Sequence, residues 1–288
     1  MTPHHPPRYV LTLDCPDTTG IVAAVTIFLA EHRATLVDAA HFNDEDTRRS
    51  FLRAVFHDDG RGMPDMAELD AAFAPVARQF GMQWRFQAAD APLKAMIAVS
   101  KAGHCLVSML HRWSTGSLPL DIVGIVSNHE SLAQHAGWHD LPFHYLPIEE
   151  GAEAEQEAQL IETFEDSGAE LLVLARYMRI LSPTACAALQ GRCINIHHSF
   201  LPGFKGARPY HQAYARGVKI IGATAHYVTE HLDEGPIIEQ AVERVDHTHD
   251  AAELAHVGHD LESIVLNRAV RWHAEHRVFV NGNKTVIL

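Results

Sequence analysis

The chain has 288 residues, 47% of them hydrophobic and 20% charged, a balance that supplies a packed core and excludes disordered, collagenous and fibrous classes. Its 23 basic and 36 acidic residues leave a formal charge of −13, which argues against a nucleic-acid partner. The longest mainly apolar run, Ile21–Ala30, falls short of the roughly 20 residues a membrane helix needs, so no membrane partner is expected either.

Residues 1–7 are read as a flexible N-terminus: the start is Pro- and His-rich and lacks the apolar segment of a secretory signal, so a cytoplasmic protein is expected. Tyr9–Leu13 alternates apolar and polar residues as a strand does, and Cys15–Gly20 forms a loop ahead of an amphipathic helix, Ile21–His32. An apolar stretch at Leu36–Phe42, a polar turn at Asn43–Thr47 and a second apolar stretch at Ser50–Phe56 predict a hairpin. A helix over Met66–Phe80 and a strand over Met82–Phe86 complete a β-α-β-β-α-β order, a ferredoxin-like domain over 8–87.

An Ala/Asp/Pro linker at 88–93 leads into a second domain, 94–288, where apolar strands alternate with helical runs. Strands are predicted at Lys94–Ser100, Asp121–Ser127, Phe143–Ile148, Leu171–Leu174 and Cys193–His197. Helices are predicted between them at Cys105–Thr115, Ser131–Gly137, Ala154–Ser167 and Ser182–Gln190. This pattern is α/β, a doubly wound and mostly parallel Rossmann-like sheet. Ligands of such sheets sit beyond the carboxyl ends of the strands, which directs attention to the loops after Ser100, Leu174 and His197.

The strand Cys193–His197 places Asn195 and His197 on one face and Ile194 and Ile196 on the other. A buried amide and imidazole need partners, so a polar network or a substrate must lie opposite them. His198 is read as structural, and the Gly- and Pro-rich stretch Ser199–Pro209 as a loop long enough to line a cleft. A further strand, Ile220–Tyr227, runs into an acidic turn closed by Gly235-Pro236. Glu230, Asp233 and Glu234 all stand there, and spacing alone leaves open which acid meets the Asn/His pair.

Leu174-Ala175-Arg176-Tyr177-Met178-Arg179-Ile180-Leu181-Ser182-Pro183, then Asn195-Ile196-His197, then Asp233-Glu234-Gly235-Pro236-Ile237 resemble, in order and spacing, the catalytic domain of 10-formyltetrahydrofolate-dependent formyltransferases. The resemblance implies a catalytic set of Asn195, His197 and Asp233, and a pterin site at Arg179, Ile180 and Leu181. Ordinary strand-end packing is the competing reading for Ile180 and Leu181. Ser100-Lys101-x-x-His104-Cys105-Leu106, Pro209-Tyr210-His211-Gln212-Ala213, Gly222-Ala223-Thr224-Ala225-His226-Tyr227 and Arg277-Val278-Phe279-Val280 are more narrowly similar to the deformylase branch, which hydrolyses the same formyl donor. Asp14-x-Pro16-Asp17-x-x-Gly20 resembles the loop of an ACT domain, an amino-acid-sensing module, which implies a regulatory site at Asp17 and Gly20 and a homo-oligomer, tetramer or hexamer.

Two departures from the resemblance stand out. Ser100–Cys105 carries one Gly and a bulky His-Cys pair where nucleotide-formylating transferases have a Gly/Ser/Asn-rich phosphate turn, and a missing acceptor site favours water. Ser108-Met109 replaces the usual Asp-Leu and is read as surface drift on a helix. What is implied is hydrolysis of 10-formyltetrahydrofolate to formate and tetrahydrofolate, serving purine biosynthesis and the one-carbon folate pool. The alternatives are transfer of the formyl group to an amine, or a folate-binding amino-acid sensor without turnover. In the hydrolytic reading Asn195 and a protonated His197 stabilise the oxyanion while Asp233 keeps His197 charged; the rival reading has neutral His197 as general base.

No cofactor besides the folate substrate is expected, and no metal. His256/His259 and His273/His276 have helical spacing, but Glu253-x-x-His256 lacks the second copy of a dinuclear motif, so these histidines are read as solvated helix surface. Cys15, Cys105, Cys186 and Cys193 form no C-x-x-C pair and are read as reduced, packed thiols.

Overall fold

The computed structural model describes residues 6–203 and 209–288, which form two compact units. The expectations for residues 1–5 and for 204–208 of the cleft loop lie outside the described residues. The first unit holds the chain up to Ala91 with Glu275–Asn281 and Thr285–Leu288; the second holds Pro92–Ala274 with Gly282–Lys284.

In the first unit β1 (Arg8–Pro16), α1 (Ile21–Glu31), β2 (Ala34–Asp44), β3 (Arg49–Asp58), α2 (Met66–Phe80) and β4 (Gln83–Ala88) follow the β-α-β-β-α-β order. The four strands pair antiparallel in the order β2-β3-β1-β4. Alternation along β1 puts Leu11, Leu13 and Cys15 on the face that packs against Val25 and Phe28 of α1 and Leu69 and Phe73 of α2. The bounds of α2 are written locally. Asp65 and Glu68 form a reciprocal capping box at its start, and Gly81 at φ 63° ends it.

The second unit contains β5 (Leu93–Val99), α3 (His104–Ser114), β6 (Leu120–Ser127), α4 (Ala133–Gly137), β7 (Phe143–Tyr145), α5 (Glu153–Asp166) and β8 (Leu171–Leu174). It continues with α6 (Pro183–Ala188), β9 (Cys193–His197), α7 (Pro209–Arg216), β10 (Ile220–Tyr227), β11 (Ile237–Arg244) and α8 (Ala251–Ala274). Its seven strands lie in the order β11-β10-β9-β8-β5-β6-β7. β5 to β9 are parallel, and β10 runs against both of its neighbours. The fold is therefore α/β with a mixed, mostly parallel sheet. All four residues of β8 are buried, as befits a strand covered on both faces.

Four expectations change. β7 stops at Tyr145, before Pro147, which has no N–H to continue a ladder. The linker narrows to residues 89–92, since β4 runs to Ala88 and β5 starts at Leu93. Met109 is fully buried and Ser108 accepts a hydrogen bond from the Asn267 amide at 3.1 Å, so this pair packs against α8 rather than drifting on a surface. The domain expected over 94–288 loses its tail to the first unit. There β12 (Val278–Asn281) and β13 (Lys284–Ile287) form a two-stranded sheet. Phe279 sets its ring 5.8 Å from that of Phe51, and the Asn281 amide donates to Asp44 and Thr47.

Phe73 is fully buried and meets Phe28, Trp84 and Phe86 edge-on. Phe73→Ala should cost about 3–5 kcal/mol, read as a lower urea midpoint at unchanged slope.

Candidate active site

β9 and β10 pair antiparallel with His226 opposite Asn195 and Thr224 opposite His197. The partner demanded by the Asn/His face is thus a second histidine. His226 Nδ1 lies 2.9 Å from the Tyr227 carbonyl, which can only accept, so that nitrogen carries a proton. In the neutral ring, Nε2 then accepts from the Asn195 amide at 3.3 Å.

The acid comes from the turn after β10. Glu230 and Glu234 are exposed, whereas Asp233 Oδ1 lies 3.2 Å from His197 Nδ1 and 3.8 Å from His226 Nε2. Asp233 holds a left-handed backbone at φ 57°, a conformation Asp tolerates better than most side chains. Two residues on, a Cβ at Gly235 would sit 1.8 Å from the Tyr227 carbonyl oxygen, so only glycine lets the turn close this tightly. Burial alone would raise the Asp233 pKa, but the hydrogen bond from His197 and the charge beside it, with a lesser contribution from the His226 imidazole 3.8 Å away, hold it well below the usual carboxylate range. With Nδ1 engaged by Asp233, the buried Nε2 of His197 has no hydrogen-bond partner among the described residues. A cluster of this kind can donate to, or take a proton from, whatever reaches that nitrogen.

Asn195, His197 and Asp233 border a cavity of about 660 Å³, and Arg179, Ile180 and Leu181 line it as well. These three lie in the loop beyond β8, not at a strand end, because β8 stops at Leu174. Ile180 is 72% exposed, which removes the packing reading for it. Leu181 is half-buried against the core under the sheet. The acidic turn supplies another part of the lining through Val228, Glu230 and Leu232.

Another side of the cavity was not foreseen. Glu262 of α8 is fully buried and accepts from His104 Nε2 at 2.7 Å and from the Tyr210 hydroxyl, with Arg176 Nε 3.4 Å away. These bonds and the Arg176 charge outweigh burial and keep its carboxyl below the ordinary range. Gly258 makes room for Tyr210, whose hydroxyl lies 2.0 Å from where a Cβ would stand. Arg176 itself sits at φ 67°, a strain of about 1–3 kcal/mol for a non-glycine residue. His198, next along, lines the cavity, and burial with help from Arg176 and His197 drives its pKa down to about 4.

His259 is likewise not solvated surface: it borders the cavity with its ring stacked on His104 at 4.1 Å, because α8 packs on α3. Among the described residues, His104, His259 and Glu262 offer ligand atoms within 4.8 Å of one another and could hold a metal, although Arg176 already faces that carboxylate. His273 bonds the Tyr227 hydroxyl at 2.7 Å, and His276 lies beyond the end of α8. Burial pushes the thiols of Cys105 and Cys193 up, consistent with packed, inert groups.

In the first unit, Asp17 and Gly20 border a separate cavity of about 520 Å³ together with His41 and Asn43. Gly20 leads into α1 at φ 99°.

Sequence reasoning missed His226, Arg176, Tyr210 and Glu262 as site residues. Period-two alternation along β10 was the available signal for His226; Glu262 has none, lying in a helix joined to the site only by tertiary contact.

Residues 93–270 match the family model described as formyl transferase. The chain is 48% identical to a formyltetrahydrofolate deformylase of Corynebacterium sp. (strain P-1), over 98% of each chain. It is similar to the crystal structure of formyltetrahydrofolate deformylase from Burkholderia mallei, with a TM-score of 0.93, 53% identity and coverage of 98% of this chain and 100% of that one. Glycinamide ribonucleotide transformylase 1 from Symbiobacterium toebii matches with a TM-score of 0.66 and 29% identity, covering 70% of this chain and 96% of that one.

A carboxylate whose folded pKa is depressed stabilises the fold above its unfolded value, near 3.9, and loses that contribution as pH falls through the folded value. The difference in urea midpoint between wild type and Asp233→Asn should therefore be full near pH 6 and shrink steadily below about pH 4.

Proposed function

Because the chain belongs to the formyltetrahydrofolate deformylase family, we propose that Asn195, His197 and Asp233 carry out its reaction. The enzyme hydrolyses 10-formyltetrahydrofolate to formate and tetrahydrofolate. The observation that carries the assignment of residues is His197: one nitrogen is anchored on Asp233, and the other is buried in the wall of the cavity without a partner among the described residues.

Attack of water on a formyl carbon places negative charge on the carbonyl oxygen. Asn195 has a second N–H to offer that oxygen, and protonated His197 donates from Nε2. Asp233 accepts from Nδ1, so it orients the ring and balances its charge. Water oxygen bonds to the carbon, the bond from that carbon to N10 breaks, and His197 passes a proton to the departing nitrogen; of the two protons water gives up, one restores the imidazolium and the other leaves with ionisation of the product to formate. His226 holds the Asn195 amide in place from β10. The exposed Ile180, with Arg179 and Leu181, forms the surface on which the pterin rests.

The first unit is read as an ACT-type regulatory module, with Asp17 and Gly20 in a small amino-acid effector site; its β-α-β-β-α-β order and cavity support this. β2 is an edge strand with Leu36, Val37 and Phe42 exposed, which suits a homo-oligomer, tetramer or hexamer. The reaction needs no cofactor or metal besides its folate substrate. No described helix is long and apolar enough to cross a membrane; a cytoplasmic role in supplying formate for purine synthesis is part of the proposed reading.

Purified protein should release formate and tetrahydrofolate in equal amounts from 10-formyltetrahydrofolate without any added amine. Asn195→Ala should lower kcat about 10²–10³-fold, and Asp233→Asn about 10²–10⁴-fold. Release that requires an amine would make the protein a transferase, and none at all a sensor. A rate that rises with deprotonation of His197 would replace the imidazolium by a neutral general base.

A further inference from the structure

Arg176 combines two costly features. Its backbone is left-handed at φ 67°, and among the described residues the buried Nε and Nη1 of its guanidinium make no well-formed hydrogen bond, Nε standing in an ion pair 3.4 Å from the Glu262 carboxylate. Strain and incompletely satisfied buried donors persist where function holds them in place.

The location is telling. β5 and β8 are neighbours, yet the chain runs from β5 to β6 on the other side, so the crevice beyond their carboxyl ends is the switch point where such sheets bind ligands. Arg176 follows β8 and His104 opens α3 after β5, and both converge on Glu262. Tyr210 closes on the same carboxylate from α7. His198 connects this group to His197, their ring centroids 5.0 Å apart. One wall of the crevice beside the reaction centre is thus built from side chains that engage one another. A metal would compete poorly there, since Glu262 already faces a guanidinium and the two imidazoles are stacked. The Symbiobacterium toebii relative of this fold is named for glycinamide ribonucleotide, and an acceptor of that kind needs room for an amine carrying a phosphorylated sugar.

We propose that Arg176 is a specificity-determining residue: anchored on Glu262, its side chain takes the place an amine acceptor would occupy and leaves water to reach the formyl carbon. The proposal rests on the hydrolase reading. With the wedge removed, an amine nitrogen bonds to the formyl carbon, the bond from that carbon to N10 breaks, and the proton the amine gives up ends on N10.

The test follows formate, tetrahydrofolate and N-formylglycinamide, the last by mass spectrometry, with 10-formyltetrahydrofolate as donor and glycinamide as the added amine. Wild type should yield formate and tetrahydrofolate one to one at every glycinamide concentration. Arg176→Gly, which suits the backbone, should release tetrahydrofolate in excess, the difference appearing as N-formylglycinamide, with the preference for water cut by about 10- to 200-fold. Arg176→Asn also tolerates this backbone and should behave alike if the glycine variant does not fold. One-to-one stoichiometry in a folded variant overturns the wedge while leaving the hydrolase standing, and two unfolded variants overturn it in favour of a structural role. Wild type that releases no formate overturns the hydrolase reading instead.

Discussion

A carboxylate stays ionised inside a protein wall only when donors and positive charge replace the water it has lost. At Asp233 the donor is His197, with the His226 imidazole close behind it, and much of the surrounding architecture exists to bring the two rings there. His226 stands opposite Asn195 because β10 runs against β9 in one particular register, and a slip of one residue would turn it to the other face. The turn that returns Asp233 to this pair needs a left-handed aspartate and a glycine pressed on the Tyr227 carbonyl. The single reversed strand of an otherwise parallel sheet thus gives the site its second imidazole.

The same electrostatic solution appears twice, at Asp233 in the cavity wall and at Glu262 buried behind Arg176 and Tyr210. Glu262 is compensated by Arg176, His104 and Tyr210, as Asp233 is by two histidines. The two clusters differ in what they leave over. Around Asp233 the surplus is an imidazole nitrogen in the cavity wall; around Glu262 the surplus donors of Arg176 are occluded. His198 lies beside both, and its pKa of about 4 keeps it neutral next to the Arg176 guanidinium. In the proposed reaction the first cluster moves a proton, and in the proposed wedge the second occupies space.

What the sequence revealed follows the range of the forces involved. α2 was legible to the residue because its capping box, its amphipathic face and Gly81 are all local. β9 was legible for a similar reason, five residues bounded by clear breaks, and with it the Asn195/His197 pair. The acid was open on spacing alone and was narrowed by resemblance, while the geometry shows Asp233 beside the pair and two neighbouring acids exposed. Arg176 was in plain view within a recognised motif, yet its meaning depends on Glu262, 86 positions later by subtraction of 176 from 262. His259 was misjudged because helical spacing reports which residues share a face and says nothing of what that face meets. Met109 was misjudged on the same ground.

The tail carries a consequence for how the molecule is made. Residues up to Ala91 leave the ribosome early, but Phe279 and Asn281, which complete their unit, emerge nearly 200 residues later, counting from 91 to 279. Domains generally fold as they are synthesised, N-terminal part first. Here the nascent first unit waits, with Phe51 and Asp44 lacking their tail partners, through translation of the whole catalytic sheet. A gene cut at codon 92 would freeze the protein in that unfinished state.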